Sequence, residues 1–170
     1  MPSIVHLPQV PLAPRQGAPD AFQWQASADL AAAAGLARLR LNLRSLSPRR
    51  FSYPYHFHHH IEEVFLIVEG EATLRTPDGL RVVRAGDLLL FETGPASAHQ
   101  LYNHSGAPCR YLDLTTVAEA DVCEYPDSGK VGLLPLRIFV RPEPLDYYDG
   151  EQDPAAHWPE ETVGPPGQRG

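Results

Sequence analysis

Hydrophobic and polar positions alternate with a period of two through the middle of this chain. Leu39, Leu41 and Leu43 alternate with Arg38, Arg40, Asn42 and Arg44, which predicts a strand with one buried and one polar face. Short runs of strand character follow over 63–69, 71–76, 80–84 and 88–91. Each closes on a turn signal: Gly70, Pro77-Asp78-Gly79, Ala85-Gly86-Asp87 and Gly94-Pro95. Further strands are predicted over 98–104, 110–116 and 133–140. Many short strands at nearly even spacing predict an all-β antiparallel sandwich or barrel. The run Val64-Phe65-Leu66-Ile67-Val68 is apolar on both faces. Its outer face is therefore expected to pack against the N-terminal arm or a second subunit.

The two ends have a different pattern. Pro2, Pro8, Pro11, Pro14 and Pro19 punctuate residues 1–26, which read as an extended arm wrapping its own domain or a partner. Ser27 to Gly35, with four consecutive alanines, reads as one or two helical turns with Ser27 as N-cap and Gly35 as the stop. Beyond Gly150 the prolines return, and an irregular or frayed strap is expected. The organisation predicted is an arm and short helix over 1–35, a barrel core over 36–117, and a C-terminal strap over 118–170 that completes or covers the barrel.

Composition narrows the function. The 170 residues carry 14 Lys and Arg against 21 Asp and Glu, a net charge of −7, so no sequence-independent grip on nucleic-acid phosphates is expected. No apolar run approaches the roughly 18–20 residues of a membrane span. The opening residues lack the basic start and apolar block of a secretory signal, so a cytoplasmic location is expected. Cys109 and Cys123 are the only cysteines, too few for a disulfide framework or a four-thiolate zinc site; both are expected as buried small hydrophobes.

The chemistry concentrates in the histidines, six of which fall between positions 56 and 104. On an extended chain His56 and His58 project to one face while Phe57 points away, a spacing that lets two imidazoles take adjacent sites on one metal ion. Glu63 opens the next strand and can bring a carboxylate to the same ion, and His99 can close the set from a later strand. The pair His58 and His60 has the same alternation, and His59 and His60 are alternatives for the second ligand. Glu62 and His104 are expected to point away.

These residues resemble the two motifs of the cupin superfamily. His56, His58, Glu63 and Gly70 follow the first motif, Gly-x5-His-x-His-x3–4-Glu-x6-Gly. Gly86, Gly94, His99 and Asn103 follow the second, Gly-x5-Pro-x-Gly-x2-His-x3-Asn. Arg50 stands where the first motif begins with Gly, Glu92 replaces the Pro, and two extra residues separate Gly94 from His99. The resemblance covers roughly residues 36–117. It implies a double-stranded β-helix barrel, jelly-roll-like, with a 3-His-1-Glu metal site at His56, His58, Glu63 and His99.

Such a donor set suits one divalent transition metal, Fe, Mn, Ni, Cu or Zn, without selecting among them. The resemblance further implies a small polar organic molecule as substrate, with dioxygenase-type oxidation or sugar or keto-acid isomerisation as the reaction, and a homodimer. The alternative is a non-catalytic, metal-dependent binding or sensing protein. Candidate acids or hydrogen-bond donors beside the metal are Tyr53, Tyr55, Tyr102 and Tyr111, and Arg38 and Arg40 are candidates for holding an anionic substrate.

Overall fold

The computed structural model of the chain describes residues 3–149, and the strap expected beyond Gly150 lies outside the described residues. The strands are short, none longer than eight residues: β1 (Ala13–Pro14), β2 (Trp24–Ala26), β3 (Leu39–Leu46), β4 (Phe57–His58), β5 (Glu63–Glu69), β6 (Glu71–Thr76) and β7 (Gly79–Arg84), then β8 (Leu88–Phe91), β9 (Gln100–Tyr102), β10 (Cys109–Thr116), β11 (Asp121–Tyr125), β12 (Lys130–Leu134) and β13 (Ile138–Val140). They build a six-stranded sheet in the order β1-β2-β3-β10-β5-β8, a four-stranded sheet β13-β12-β11-β4 and a three-stranded sheet β7-β6-β9, and every pairing is antiparallel. The two smaller sheets are stitched together by a bridge between His56 and His99.

Several predicted elements recur residue for residue, including 63–69, 71–76 and 88–91. Others differ for local reasons. The helix α1 is a single turn, Leu30–Ala33, and its N-cap is Asp29, not Ser27: the Asp29 carboxylate accepts from the N–H groups of Ala31 and Ala32. The Ser27 hydroxyl instead accepts from the Leu43 N–H and donates to the Ala28 carbonyl. Gly35 does end the turn, at φ +76°. The run 133–140 is two strands, β12 and β13, because Pro135 interrupts the ladder. The stretch 98–104 is a three-residue strand whose flanks are occupied by the His56–His99 bridge and by the bonds of Asn103.

The arm wraps its own domain. β2 pairs with β3 and inserts Trp24 opposite Leu46, and Trp24 joins a buried core with Leu46, Phe65, Ile67, Ala72, Leu101 and Tyr111. α1 lies over β3, above fully buried Leu43. Gly70 turns β5 into β6 at φ +76°, where an added Cβ would sit 2.6 Å from the Pro108 carbonyl oxygen; only glycine fits that approach. Asn103 is fully buried, its amide donating to the carbonyls of Leu46 and Ala107 while its oxygen accepts from the Ser105 N–H. That satisfied asparagine holds the far end of the barrel.

Candidate metal centre

His56 and His99 exchange backbone hydrogen bonds, His56 N–H to the His99 carbonyl at 3.3 Å and the reverse at 2.9 Å. A pair bonded in this way projects both side chains to the same face, and their rings lie 4.8 Å apart. His58 follows two residues on, its ring 5.1 Å from that of His56. Glu63 opens β5 in the facing sheet and reaches all three. Its Oε2 lies 3.9 Å from Nε2 of His56, 3.6 Å from Nε2 of His58 and 3.2 Å from Nε2 of His99.

Each imidazole is held from behind. Nδ1 of His56 faces the Pro54 carbonyl at 2.9 Å, and Nδ1 of His99 faces the Ser97 carbonyl at 2.9 Å. A carbonyl only accepts, so those nitrogens carry the proton and Nε2 presents a lone pair inward. Nδ1 of His58 is bonded to the Asp121 carboxylate, which also accepts from the His60 N–H at 2.9 Å. This is the second tier of contacts that orients histidines around metals. The loop before His99, two residues longer than the motif, holds a three-residue 3-10 turn over Pro95–Ser97. The Gly94 N–H at its start donates to the His58 carbonyl at 2.8 Å. The longer loop thus ties itself to His58 and supplies the carbonyl that orients His99.

Electrostatics follow from this enclosure. Burial, with His99 adding to it, lowers the His56 pKa to about 4, so the ring is neutral near pH 7. Burial also works against charging His58, but Asp121 and Glu63 outweigh it and raise that pKa. Burial opposes the charge of Glu63, and whenever the surrounding imidazoles take up a proton, His99 foremost, they hold its pKa below the usual carboxylate value. Yet 3.2 Å between Nε2 of His99 and Oε2 of Glu63 is no hydrogen bond when both atoms offer lone pairs. These two atoms are buried and lack a hydrogen-bond partner. Acceptors converging without a donor between them are what a cation requires. The ligating atoms of His56, Glu63 and His99 all lie within 4.8 Å of one another, as do those of His56, His58 and Cys123.

The cluster opens into a cavity of about 410 Å³ whose walls include Arg15, Arg40, Arg44, Tyr53, Tyr125 and Arg137. A groove of about 550 Å³ between β7 and β8 is larger, but it is lined by Leu74, Val83 and Leu89 with scattered surface charges and gathers no comparable cluster. Of the four tyrosines singled out from the sequence, Tyr53 alone lines this cavity, its ring 5.9 Å from that of His56. Tyr55 packs with Phe57 and Ala98 under the Arg75 guanidinium. Tyr102 stacks on Phe51, and Tyr111 is fully buried in the core against Phe65.

Of the two arginines, Arg40 lines the cavity and Arg38 does not. His59 pairs with Glu124 at the surface, and His60 is exposed. Glu62 is exposed, and His104 bonds Thr73 and Glu71 away from the site. Cys109 and Cys123 are buried free thiols, and Cys123 also lines the cavity. Sequence reasoning missed Asp121, Tyr125, Arg15 and Arg137. Tyr125 stacks on His56 at 5.9 Å. The period-two spacing of Asp121, Cys123 and Tyr125 was a usable signal, had that strand been recognised.

A two-layered antiparallel β barrel with histidines on one wall and a glutamate on the other defines the class. Residues 42–115 match the family model for the cupin domain, and the chain has the fold of that superfamily. Among solved structures it resembles a sugar phosphate isomerase of the cupin superfamily from Silicibacter pomeroyi, at 23% identity, with 85% of this chain and 98% of that chain covered and a TM-score of 0.73. It also resembles the polyketide cyclase RemF from Streptomyces resistomycificus (24% identity, 68% and 80% covered, TM-score 0.54). A third is a predicted oxalate decarboxylase from Thermotoga maritima (16% identity, 68% and 100% covered, TM-score 0.57). At these identities the likeness is one of fold. No curated protein matches the chain by sequence. Among the described residues, no helix is long and apolar enough to cross a membrane.

Proposed function

We propose that the chain is a metal-dependent cupin that binds one divalent transition metal through His56, His58, Glu63 and His99 and acts on a small polar organic molecule in the adjoining cavity. The observation that carries this reading is the pair of buried, unpartnered acceptors, Oε2 of Glu63 and Nε2 of His99, at the convergence of three imidazoles. When bound, the ion supplies a Lewis acid, or a redox centre if it is iron, manganese, nickel or copper. The chain's own residues do the rest. His56 and His99 keep their protons on Nδ1, Asp121 orients His58, and Phe91, stacked on His99 at 3.7 Å, screens that ring from water. Tyr53 and Tyr125 line the cavity with hydroxyls whose protons burial holds in place, so they serve as hydrogen-bond donors, not bases.

Isomerisation and dioxygenase-type oxidation both fit such a site. Binding without turnover is the second reading, and one observation favours it. Among the described residues, every carboxylate lining the cavity is engaged: Glu63 in the cluster, Asp113 on Arg44 and Asp121 on His58. No unengaged general base faces the metal. Assembly as a homodimer belongs to the same proposal, with Leu88 and Leu90 exposed on the outer face of β8 beside Leu66 and Val64.

The test is elemental analysis of the full chain as purified and after anaerobic reconstitution with Fe(II), Mn(II), Ni(II), Cu(II) and Zn(II), alongside His58→Ala. Near one ion per chain, lost in the variant while the circular dichroism of the barrel persists, is expected. Full occupancy in His58→Ala overturns the assignment. Preference for iron directs the search to oxygen consumption, and preference for zinc or manganese to isomerase assays.

A further inference from the structure

The protein carries a net charge of −7 with only 14 Lys and Arg, yet four of those cations, Arg15, Arg40, Arg44 and Arg137, line a single cavity beside the His/Glu cluster. They arrive from three separate places: Arg15 follows β1, Arg40 and Arg44 lie on the inner face of β3, and Arg137 sits in the turn between β12 and β13. Arg44 is neutralised by its bond to Asp113. Among the described residues, Arg15, Arg40 and Arg137 have no carboxylate within salt-bridge distance.

The crowding is direct at one point. The guanidinium of Arg15 lies 5.0 Å from the Trp24 ring and 6.0 Å from that of Tyr53, and that of Arg44 lies 4.7 and 5.2 Å from the same two rings. Both guanidiniums are held by one aromatic corner, and of the two only Arg44 is bonded to a carboxylate, Asp113, which leaves Arg15 there without a counter-charge among the described residues. Arg137 adds an independent sign. Its backbone is left-handed, at φ +56°, a conformation glycine adopts without strain and a side-chain-bearing residue does not. Strain retained at a cavity-lining cation points to a use for the side chain.

We propose that the molecule entering this cavity bears an oxyanion, a carboxylate or a phosphomonoester, held by Arg15, Arg40 and Arg137 while the rest of it faces His56, His58, Glu63 and His99. The proposal rests on the reading of those four residues as a metal centre. Guanidinium forks match both oxyanions in bidentate geometry, so the chemistry is common to the two sources and the probes separate them.

The test is calorimetric titration of the full chain, metal-loaded and metal-free, with succinate and with glycerol 3-phosphate. The variants are Arg40→Ala and Arg137→Gly, the second relieving the left-handed backbone and so preserving the fold, with Arg38→Ala as the control outside the cavity. Binding of one probe is expected, weakened roughly tenfold or more in each cavity variant, with metal content unchanged by elemental analysis and Arg38→Ala like the parent. Preference for succinate assigns a carboxylate, and preference for glycerol 3-phosphate a phosphomonoester. Absence of binding by either probe up to about 10 mM, or binding indifferent to the arginine variants, overturns the proposal. Arginine-dependent anion binding in a chain that takes up no metal leaves this proposal standing and fails the metal reading instead.

Discussion

The two ends of the barrel interior are built on the same three strands, and their inward-facing residues read in cross-strand rows. At one end Leu46 faces Cys109, and the next row sets Tyr111 between Arg44 and Ile67. Two rows on, Thr115 lies between Arg40 and Glu63. A register shift between Arg110 and Tyr111 offsets β5 against β10 at the apolar end, but inward and outward positions keep alternating along both strands, so the chief difference between the ends is side-chain chemistry. The apolar end buries Leu46, Ile67 and Cys109 at 1% exposure or less. The polar end buries Glu63 nearly as deeply, at 7%, with no hydrogen bond to its Oε2. Stability is concentrated at one end, and at the other some is given up to keep acceptors aimed at a common point.

The largest effect that separates the ends is expected from Glu63→Gln. The amide fits the same space and can donate to Nε2 of His99, replacing one orphaned acceptor with a donor and giving the other a partner. Metal stoichiometry should fall from about one to near zero, while the metal-free protein becomes more stable by about 1–3 kcal/mol. Paired elemental analysis and thermal unfolding read both changes. A variant that keeps its metal, or is less stable metal-free than the parent, breaks the contrast. Leu46→Ala is the mirror experiment at the apolar end. Opening a cavity beside Trp24 and Tyr111 should cost about 2–5 kcal/mol in urea unfolding, with metal stoichiometry intact.

Acid should distinguish the ends as well. His56 titrates near pH 4 in the folded chain against about 6.5 unfolded. A lowered histidine pKa means the unfolded state takes up the proton first, so the His56 contribution to metal-free stability should fall as pH drops from about 6.5 to 4 and level off below. The span bounds the loss at on the order of 3 kcal/mol. His58, whose pKa is raised, works in the opposite direction and makes the net loss smaller. Urea unfolding of metal-free His56→Gln across that range should show the slope flattened. An unchanged slope assigns the acid sensitivity elsewhere.

The apolar end and the candidate ligands are legible in the sequence for different reasons. Alternation in β3, β5 and β10 reports burial directly, and Gly70 and Pro77-Asp78-Gly79 mark turns whose geometry few residues satisfy. His56 and His58 were visible because a two-residue spacing means one face. Of the arginine-lined wall only Arg40 was legible. Arg15 and Arg137 sit in irregular segments with no period to read, and Trp24 reaches the core from a proline-rich stretch that resembles a loose arm. Asp121 is less legible: the period-two spacing of Asp121, Cys123 and Tyr125 signals a strand, but nothing local in it names β4, which carries His58, as the partner. The helix cap went to Asp29 because Ser27 was already needed by the Leu43 N–H, a tertiary demand that local sequence does not announce.

Asp121 supplies the smallest effect and the finest test of the polar end. One of its oxygens takes His58 Nδ1 and the other the His60 N–H, so both are engaged by donors. Asparagine offers one oxygen and one NH2 group. If the oxygen turns to His58, the amide N–H meets the His60 N–H; if it turns to His60, the NH2 meets the Nδ1 proton of His58. Either way one bond is lost and the negative charge behind His58 disappears, so the ring is held less firmly and its Nε2 is a weaker donor to a metal. Asp121→Asn should retain the fold and a metal stoichiometry near one, with affinity reduced about 10–100-fold in competition with a chelating dye. Unchanged affinity would mean that Asp121 merely fastens β11 to the turn at His60, and that the polar end is organised by its backbone carbonyls at Pro54 and Ser97 alone.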